Sequence, residues 1–267
     1  MARPLSNTET LEHESDDVPN NPQSKTRHYL CSPIRVDLFA ELQLLLLTVC
    51  TGIQDATTFP DYRCFASNQT GNTIFLTIAA FRQKRETGQL FDIVNITIAL
   101  LLFLAGGLVT GQLGHLVGPR KRLWLVATNF FQTCLVFGAA ASQYRCGVQE
   151  TGSRAQGTLA LLAFAAGSQV VQSRSLALTE ISTAMATAAW VDLLIDPHLF
   201  LRDNRSRNRR IAFLLALVIG GFVGAKVLSS LGSAHAIMIS AVGKLIVTFM
   251  YFFSRTAEVK ATVNRLV

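Results

Sequence analysis

Eight apolar segments, each roughly twenty residues long, follow one another along most of this 267-residue chain. They cover residues 38–58, 64–81, 93–116, 123–142, 157–173, 178–195, 211–230 and 235–254. Each is near the length that an α-helix needs to cross about 30 Å of hydrocarbon, although the fifth and sixth are short for this purpose. Their apolar residues are continuous rather than alternating, which is typical of spanning helices and not of barrel strands. The sequence therefore predicts an all-α, polytopic helical membrane bundle of about eight spans.

Charge and motif content narrow the function classes. Charged residues make up 15% of the chain, against about 25% in an ordinary soluble domain. The net charge is +7, but the basic residues fall in short clusters between apolar segments, which favours orientation signals over a nucleic-acid surface. The five cysteines are scattered and lack metal-ligand spacing. We therefore expect no enzyme, no metal, no cofactor and no nucleic-acid partner.

The polar ends of the chain set the domain organisation. Residues 1–36 hold four of the seven prolines and few apolar residues, so they predict a disordered N-terminal tail. Residues 37–255 form the transmembrane bundle, with halves at 37–142 and 157–254, and residues 256–267 form a short C-terminal tail. The tail lacks the pattern of a cleaved signal peptide.

Basic residues near the segment ends predict the orientation. Eight crossings with both termini cytoplasmic place most of them inside: Lys25, Arg27, Arg35, Arg82, Lys84, Arg85, Arg145, Arg154, Arg202, Arg205, Arg207, Arg209, Arg210, Arg255, Lys260 and Arg265. The trio Arg120, Lys121 and Arg122 conflicts with this arrangement, because it falls outside. In an alternative topology, segments one and two or five and six are re-entrant hairpins, which leaves six or fewer crossings.

An internal repeat relates the two halves. Residues 51–54 (TGIQ) resemble residues 166–169 (AGSQ), and residues 70–76 resemble residues 187–193. Four predicted spans separate the copies, so the repeat is expected to be parallel, with two four-span halves that run in the same direction.

Two motifs carry a family resemblance. Residues 51–56 (TGIQDA) and 65–72 (FASNQTGN) resemble the signature of the YoaK-like family of membrane proteins, known as domain of unknown function 1275. Residues 182–187 (STAMAT) with residues 192–193 (DL) look like its fungal-type members. The resemblance covers residues 38–254 and departs at residues 170–171 (VV) and 188–189 (AA). It implies a membrane fold and no defined activity.

Polar side chains inside these segments are the candidate site. A charge at mid-span costs about 2.5–3.5 kcal/mol on translocon scales, so its presence asks for a reason. Transporters coordinate solutes with such residues and with unwound backbone, which Gly71 would permit. Alternatively, the amides only hold helices together. The candidate substrate-binding residues are Gln54, Asp55, Asn68, Thr70, Asn72, Gln169, Thr187, Asp192 and Lys244.

Two lysines give specific expectations. Lys244 lies near the middle of the last span, too far from either end to reach water, so it should be buried with Asp192, Gln169 or a backbone carbonyl as partner. Asp55 and Lys226 lie at similar depth near the outer ends of their spans, which predicts that they form an ion pair.

The function predicted from these features is a transporter or permease-like protein for a small solute or ion in a lipid bilayer. A non-transporting scaffold or accessory subunit is the alternative, and an intramembrane enzyme is a remote one. A homo-oligomer is compatible with either. The substrate, the direction, the coupling ion and the host membrane are not encoded in recognisable motifs.

Overall fold

The computed structural model describes residues 22–81 and 91–257, with side chains from residue 26 onward. Residues 1–21, 82–90 and 258–267, which include most of both predicted tails and five of the basic residues above, lie outside the described residues. Regular structure in the described residues is helical, apart from two isolated β-bridges. The helices are α1 (Pro22–Cys31), α2 (Leu38–Tyr62), α3 (Gln69–Phe81), α4 (Ile93–Val117), α5 (Arg122–Cys146), α6 (Ser153–Ser175), α7 (Ala186–Leu194), α8 (Arg205–Leu231) and α9 (Ser233–Phe253). The all-α prediction is confirmed.

Local side chains fix where several helices begin and end. The Asp37 carboxylate accepts hydrogen bonds from the first N–H groups of α2, Asp92 caps α4 and Asn204 caps α8, as short polar residues commonly do. Arg63 ends α2 in the left-handed region with φ 57°. Gly232, with φ 91°, makes the tight turn between α8 and α9.

Five helices are long and apolar enough to cross a membrane, namely α2, α4, α5, α8 and α9. A sixth, α6, has 23 residues but carries more polar side chains. By contrast, α3 has 13 residues and α7 has nine, so at about 1.5 Å per residue they reach about 20 Å and 14 Å, short of a 30 Å hydrocarbon layer. The eight-span architecture is therefore not confirmed.

One end of the bundle gathers the start of α2, the start of α5 and the end of α9. Gln43 donates a hydrogen bond to Ser254 at 2.9 Å, whereas Gln54, further along α2, donates to Ser240 at 2.8 Å. These two bonds make α2 and α9 antiparallel. The Arg122 guanidinium donates to the backbone oxygen of Ser254 at 2.5 Å. We call this end of the molecule the basic end.

The opposite end gathers the other termini of the same helices. Ser233, at the start of α9, donates hydrogen bonds to Asp61 and, at 3.1 Å, to Gln143. Asn95, in the first turn of α4, donates to the backbone oxygen of Tyr62 at 3.2 Å. Thus α2 and α5 end where α4 and α9 begin.

The remaining two long helices complete an alternating order. Gln172, near the end of α6, donates to the backbone oxygen of Leu125 at 2.9 Å, so α6 ends at the basic end. Arg205, at the start of α8, lies 2.5 Å from Glu41 of α2, so α8 begins there. The six long helices therefore alternate in direction along the chain. The expectation of parallel copies is wrong, because α2 and α6 run in opposite directions.

Part of the predicted N-terminal tail forms α1, which packs against the basic end. Tyr29 of α1 donates a hydrogen bond to the backbone oxygen of Phe252, and the Arg122 guanidinium lies 3.5 Å from the centre of its ring, within the range of a cation–π contact. Ile34 forms an isolated bridge with Thr256. The residues that precede α2 and the residues that follow α9 are thereby held at the start of α5.

Glycines bring two pairs of helices into close contact. A Cβ atom on Gly220 of α8 would lie 2.3 Å from the backbone oxygen of Val49 in α2. In the second pair, a Cβ on Gly167 of α6 would lie 2.0 Å from the backbone oxygen of Phe103 in α4. Small residues allow this approach, which replaces a hydrophobic driving force as the main source of packing energy inside a membrane.

Candidate functional site

A cavity of about 500 Å³ lies where α3 and α7 begin, between the long helices α2, α4, α6 and α8. It is lined by Asp55, Ser67, Asn68, Gln69, Thr70, Gly71, Phe103, Val170, Ala184, Met185, Ala186, Thr187, Ala188 and Leu217. Four of the predicted site residues are among them: Asp55, Asn68, Thr70 and Thr187. The structure thus brings together polar residues that are more than a hundred positions apart in sequence.

The two short helices run away from the cavity in opposite directions. The ring of Phe75 in α3 stacks on Phe91, which precedes α4, with centroids 4.5 Å apart, so α3 leads from the cavity toward the opposite end. Asp196, two residues after α7, lies 3.1 Å from Arg210 in the first turns of α8. Helix α7 therefore leads toward the basic end. Each of these two segments therefore returns toward the end of the bundle at which the preceding long helix ends. The alternative topology had made re-entrant hairpins of segments one and two or five and six together, and it is not confirmed in that form because α2 and α6 are long helices.

Asp55 is the ionisable side chain of the cavity wall. Its two carboxylate oxygens accept hydrogen bonds from the backbone N–H of Ser67 at 3.0 Å and from the Ser67 hydroxyl at 2.5 Å. Among the described residues it has no ion-pair partner, and Lys226 is exposed on α8. The predicted Asp55–Lys226 ion pair is wrong, since equal depth did not place the two side chains on facing surfaces.

Asn72 builds the loop that carries the first polar segment. Its side-chain oxygen accepts from the backbone N–H of Phe65 at 2.9 Å, and its amide nitrogen donates to the backbone oxygen of Phe65 at 2.7 Å and to Gln69 at 2.9 Å. The side chain is fully buried. Asn68 accepts, at 3.4 Å, from the backbone N–H of Gly71. Asn72 therefore positions the loop, while Asn68 both caps α3 and faces the cavity.

The second polar segment is held differently. The Ser182 hydroxyl donates a hydrogen bond to the backbone oxygen of Met185 at 3.2 Å and accepts one from the backbone N–H of Met185 at 3.0 Å. Thr183 adopts a left-handed φ of 60°, which is costly for a β-branched residue, and its buried hydroxyl has no partner among the described residues. No side chain caps the start of α7. The backbone N–H groups of its first turn are thus free to face the cavity.

Lys244 lies outside the cavity wall, in a polar network between α5, α6 and α9. Its ammonium group is fully buried and donates to the amide oxygen of Gln169 and, at 3.2 Å, to that of Gln132. Gln169 donates in turn to Thr51 at 2.9 Å, and Gln132 to Gln172 at 2.9 Å. Burial and pairing with Gln169 are confirmed, and the partners within hydrogen-bonding distance are neutral amides rather than carboxylates.

Two further predicted residues lie away from the cavity. Gln54 is buried and donates to Ser240, which is a contact between α2 and α9. Asp192 is exposed on α7 and lines a separate surface hollow with Asp196 and Arg210. Hydrogen bonds from the backbone of His198 and from the side chain of Asn204 hold the pKa of Asp196 below its ordinary value. Asp192 was expected beside Thr187, but α7 turns it toward the basic end.

Sequence reasoning missed the apolar part of the wall. Phe103, Val170 and Leu217 line the cavity but stand within continuous apolar runs, so no sequence pattern distinguishes them from lipid-facing neighbours. Ser67 could have been predicted as a site residue from the sequence, because it lies inside the motif of residues 65–72. Its hydrogen bonds to Asp55 make it the closest partner of that carboxylate.

A comparison with protein families bears on these same elements. The model of a family described as "Protein of unknown function (DUF1275)" matches residues 43–250. The chain belongs to the DUF1275 family. The match extends from α2 into α9 and includes both polar segments of the cavity, so the resemblance carried by the two motifs is confirmed, while membership of a fungal-type group stays a prediction. No curated protein and no solved structure matches the chain, so the DUF1275 assignment identifies a family without a known activity.

Proposed function

We propose that this DUF1275 protein is a transporter for a small solute, which binds in the cavity between the starts of α3 and α7. The observation that carries the proposal is the convergence of two re-entrant polar segments, one from each end of the bundle, on one cavity of about 500 Å³. Broken helices that meet near the bilayer midplane are a recurring way to build a solute site in transporters. Polar side chains inside a membrane are costly and commonly have a functional role, which the cavity offers here.

The proposed topology has six crossings, formed by α2, α4, α5, α6, α8 and α9. Helix α6 fits as the sixth because its polar residues, such as Ser168 and Gln169, are buried in the bundle rather than exposed to lipid. In this topology, the segment between α2 and α4 and the segment between α6 and α8 each enter the membrane and leave it on the same side. Helices α3 and α7 are the outgoing parts of these segments.

The basic end is proposed to face the cytoplasm. It carries Arg120, Lys121, Arg122, Arg174, Arg202, Arg205, Arg207, Arg209, Arg210 and Arg255. The opposite end carries Arg63, Arg145, Arg154 and Lys226 among the described residues. This asymmetry follows the positive-inside rule, and the trio that conflicted with eight crossings no longer does.

The two halves are proposed to be inverted copies. Three cavity pairs stand at nearly constant spacing in the chain: Asp55 with Val170, Phe103 with Leu217, and Thr70 with Thr187. The glycine contacts support the same relation, since α2 packs on α8 as α6 packs on α4. An inverted repeat offers two conformations of similar energy, in which the cavity opens to one side or to the other.

Cysteine accessibility tests the transport proposal without knowledge of the substrate. The exposed cysteines Cys31, Cys134 and Cys146 are replaced, while the buried Cys50 and Cys64 are kept. Thr187→Cys then places one thiol in the cavity, and a membrane-impermeant maleimide is applied from each side of the membrane in oriented vesicles. A transporter with alternating access should be labelled from both sides.

Thr48→Cys is the matched control, because Thr48 lies on α2, is fully buried and does not line the cavity. It should resist labelling from either side while the protein is folded. If Thr187→Cys is labelled from neither side, or from one side only under every condition, the transport proposal fails and a scaffold becomes the better account.

A further inference from the structure

The charge balance of the cavity wall indicates what kind of solute it takes. Asp55 is the one ionisable side chain among the described residues that line the cavity. A carboxylate has about four lone-pair positions, and Ser67 occupies two of them with its N–H and its hydroxyl. The remaining positions have no cationic partner among the described residues. A buried carboxylate is costly unless a positive group compensates it.

We propose that the solute carries an ammonium group that binds Asp55. This inference rests on the proposed transport function and adds to it the chemical class of the substrate. The positive ends of α3 and α7 also face the cavity, but each amounts to at most about half a charge. The start of α3 is further satisfied by Asn68, and α7 has only nine residues. In its ionised form Asp55 carries a full charge, which is larger than that of either helix end and sets the sign of the solute it binds.

The volume and the lining residues of the cavity argue against a bare metal ion as the solute. A water molecule takes up about 30 Å³ in the liquid, so a volume of about 500 Å³ accommodates an organic molecule. No group of three or more His, Cys, Asp or Glu side chains in the described part of the chain could hold a metal. The walls formed by Phe103, Met185 and Leu217 are apolar and fit a carbon skeleton, and an aromatic face attracts ammonium groups.

Protection of the cavity thiol tests this inference. Thr187→Cys in the background described above is labelled in the presence of methylammonium, tetramethylammonium, putrescine, choline or betaine. The uncharged control is 3,3-dimethylbutan-1-ol, the carbon isostere of choline, and the anionic control is acetate. A probe that binds should slow labelling about tenfold at about ten times its Kd. We expect at least one ammonium probe to protect, and neither control to do so.

Variants then assign the effect to the carboxylate. Asp55→Asn should abolish protection, Asp55→Glu should retain it, and Asp192→Asn, which removes an exposed carboxylate outside the cavity, should leave it unchanged. Protection by betaine but not by choline would identify a zwitterionic substrate within the proposed class.

Three results would overturn the inference: protection by acetate alone, equal protection by choline and its isostere, or protection that survives Asp55→Asn. Absence of protection by every ammonium probe would overturn it as well. In each case, labelling of Thr187→Cys from both sides would leave the transport proposal standing, so the two failures are distinguishable.

Discussion

The close contact between α2 and α8 predicts a large difference between two adjacent glycines. A Cβ on Gly220 would lie 2.3 Å from the backbone oxygen of Val49, whereas a Cβ on Gly221 would have nothing within 4 Å. Ordinary contacts begin near 3.4 Å, so Gly220→Ala requires the two backbones to separate by about 1 Å. Such overpacking costs about 1–3 kcal/mol. Both substitutions share the helix-propensity gain of up to about 1 kcal/mol, which therefore cancels in the comparison.

The measurement is thermal unfolding of the purified protein in one detergent, followed by size-exclusion chromatography of the heated samples. Gly220→Ala should lower the Tm relative to Gly221→Ala by about 2–12 °C, since 1 kcal/mol corresponds to about 2–4 °C at this size. The second helix pair offers a repeat of the test with Gly167→Ala, whose control is Gly157→Ala with nothing within 4 Å. Equal Tm values within each pair would refute the close packing of these helices.

Three further perturbations have defined outcomes. Arg145→Cys should be labelled from outside intact cells and Asp203→Cys only from the cytoplasmic side, because the two positions lie at opposite ends of the bundle; labelling of both from one side would contradict six crossings. Lys244→Met should lower the unfolding free energy in mixed micelles by less than about 3 kcal/mol, because its partners are neutral amides; a loss of about 3–5 kcal/mol would indicate an uncompensated carboxylate. The folded-state pKa of Asp196 lies below its ordinary value, so its contribution to stability is present above about pH 4 and is lost as the pH falls through the folded value. Unfolding of Asp196→Asn should lack this acid-dependent part, and an unchanged acid dependence would show that the carboxylate contributes nothing.

The long helices could be predicted from the sequence to within a few residues. Predicted segments at 38–58, 93–116 and 235–254 correspond to α2, α4 and α9, because a continuous apolar run of spanning length has few alternatives in a membrane. The segments at 64–81 and 178–195 are also apolar, yet they contain only the short helices α3 and α7. Hydropathy measures solvent preference and not backbone path, so it does not distinguish a crossing from a segment that enters and returns.

The sequence predicted several polar residues of the cavity wall but none of its apolar residues. Asp55 and Asn68 stood out because polar groups inside an apolar run need a reason, and the cavity supplies one. Asp192 was misplaced because a continuous helix over 178–195 was assumed, whereas α7 starts at Ala186 and turns toward the basic end. Lys244 was expected to have a partner, and it donates to amide oxygens instead of a carboxylate. These hydrogen bonds offset part of the cost of burying its charge.

The relative direction of the two halves depends on the number of crossings assumed in each half. This explains why parallel copies were expected from the sequence. Four spans per half return the chain to its starting side, so the copies would be parallel, whereas in the proposed six-crossing topology three spans per half leave it on the other side and the second copy would be inverted. The sequence did contain a signal of the error, since Arg120, Lys121 and Arg122 fell outside in the eight-span arrangement. In the proposed topology, a single re-entrant segment between α2 and α4 places this trio on the cytoplasmic side, at the end where Arg122 contacts Ser254. A conflict in the charge distribution is therefore evidence about which apolar segment fails to cross.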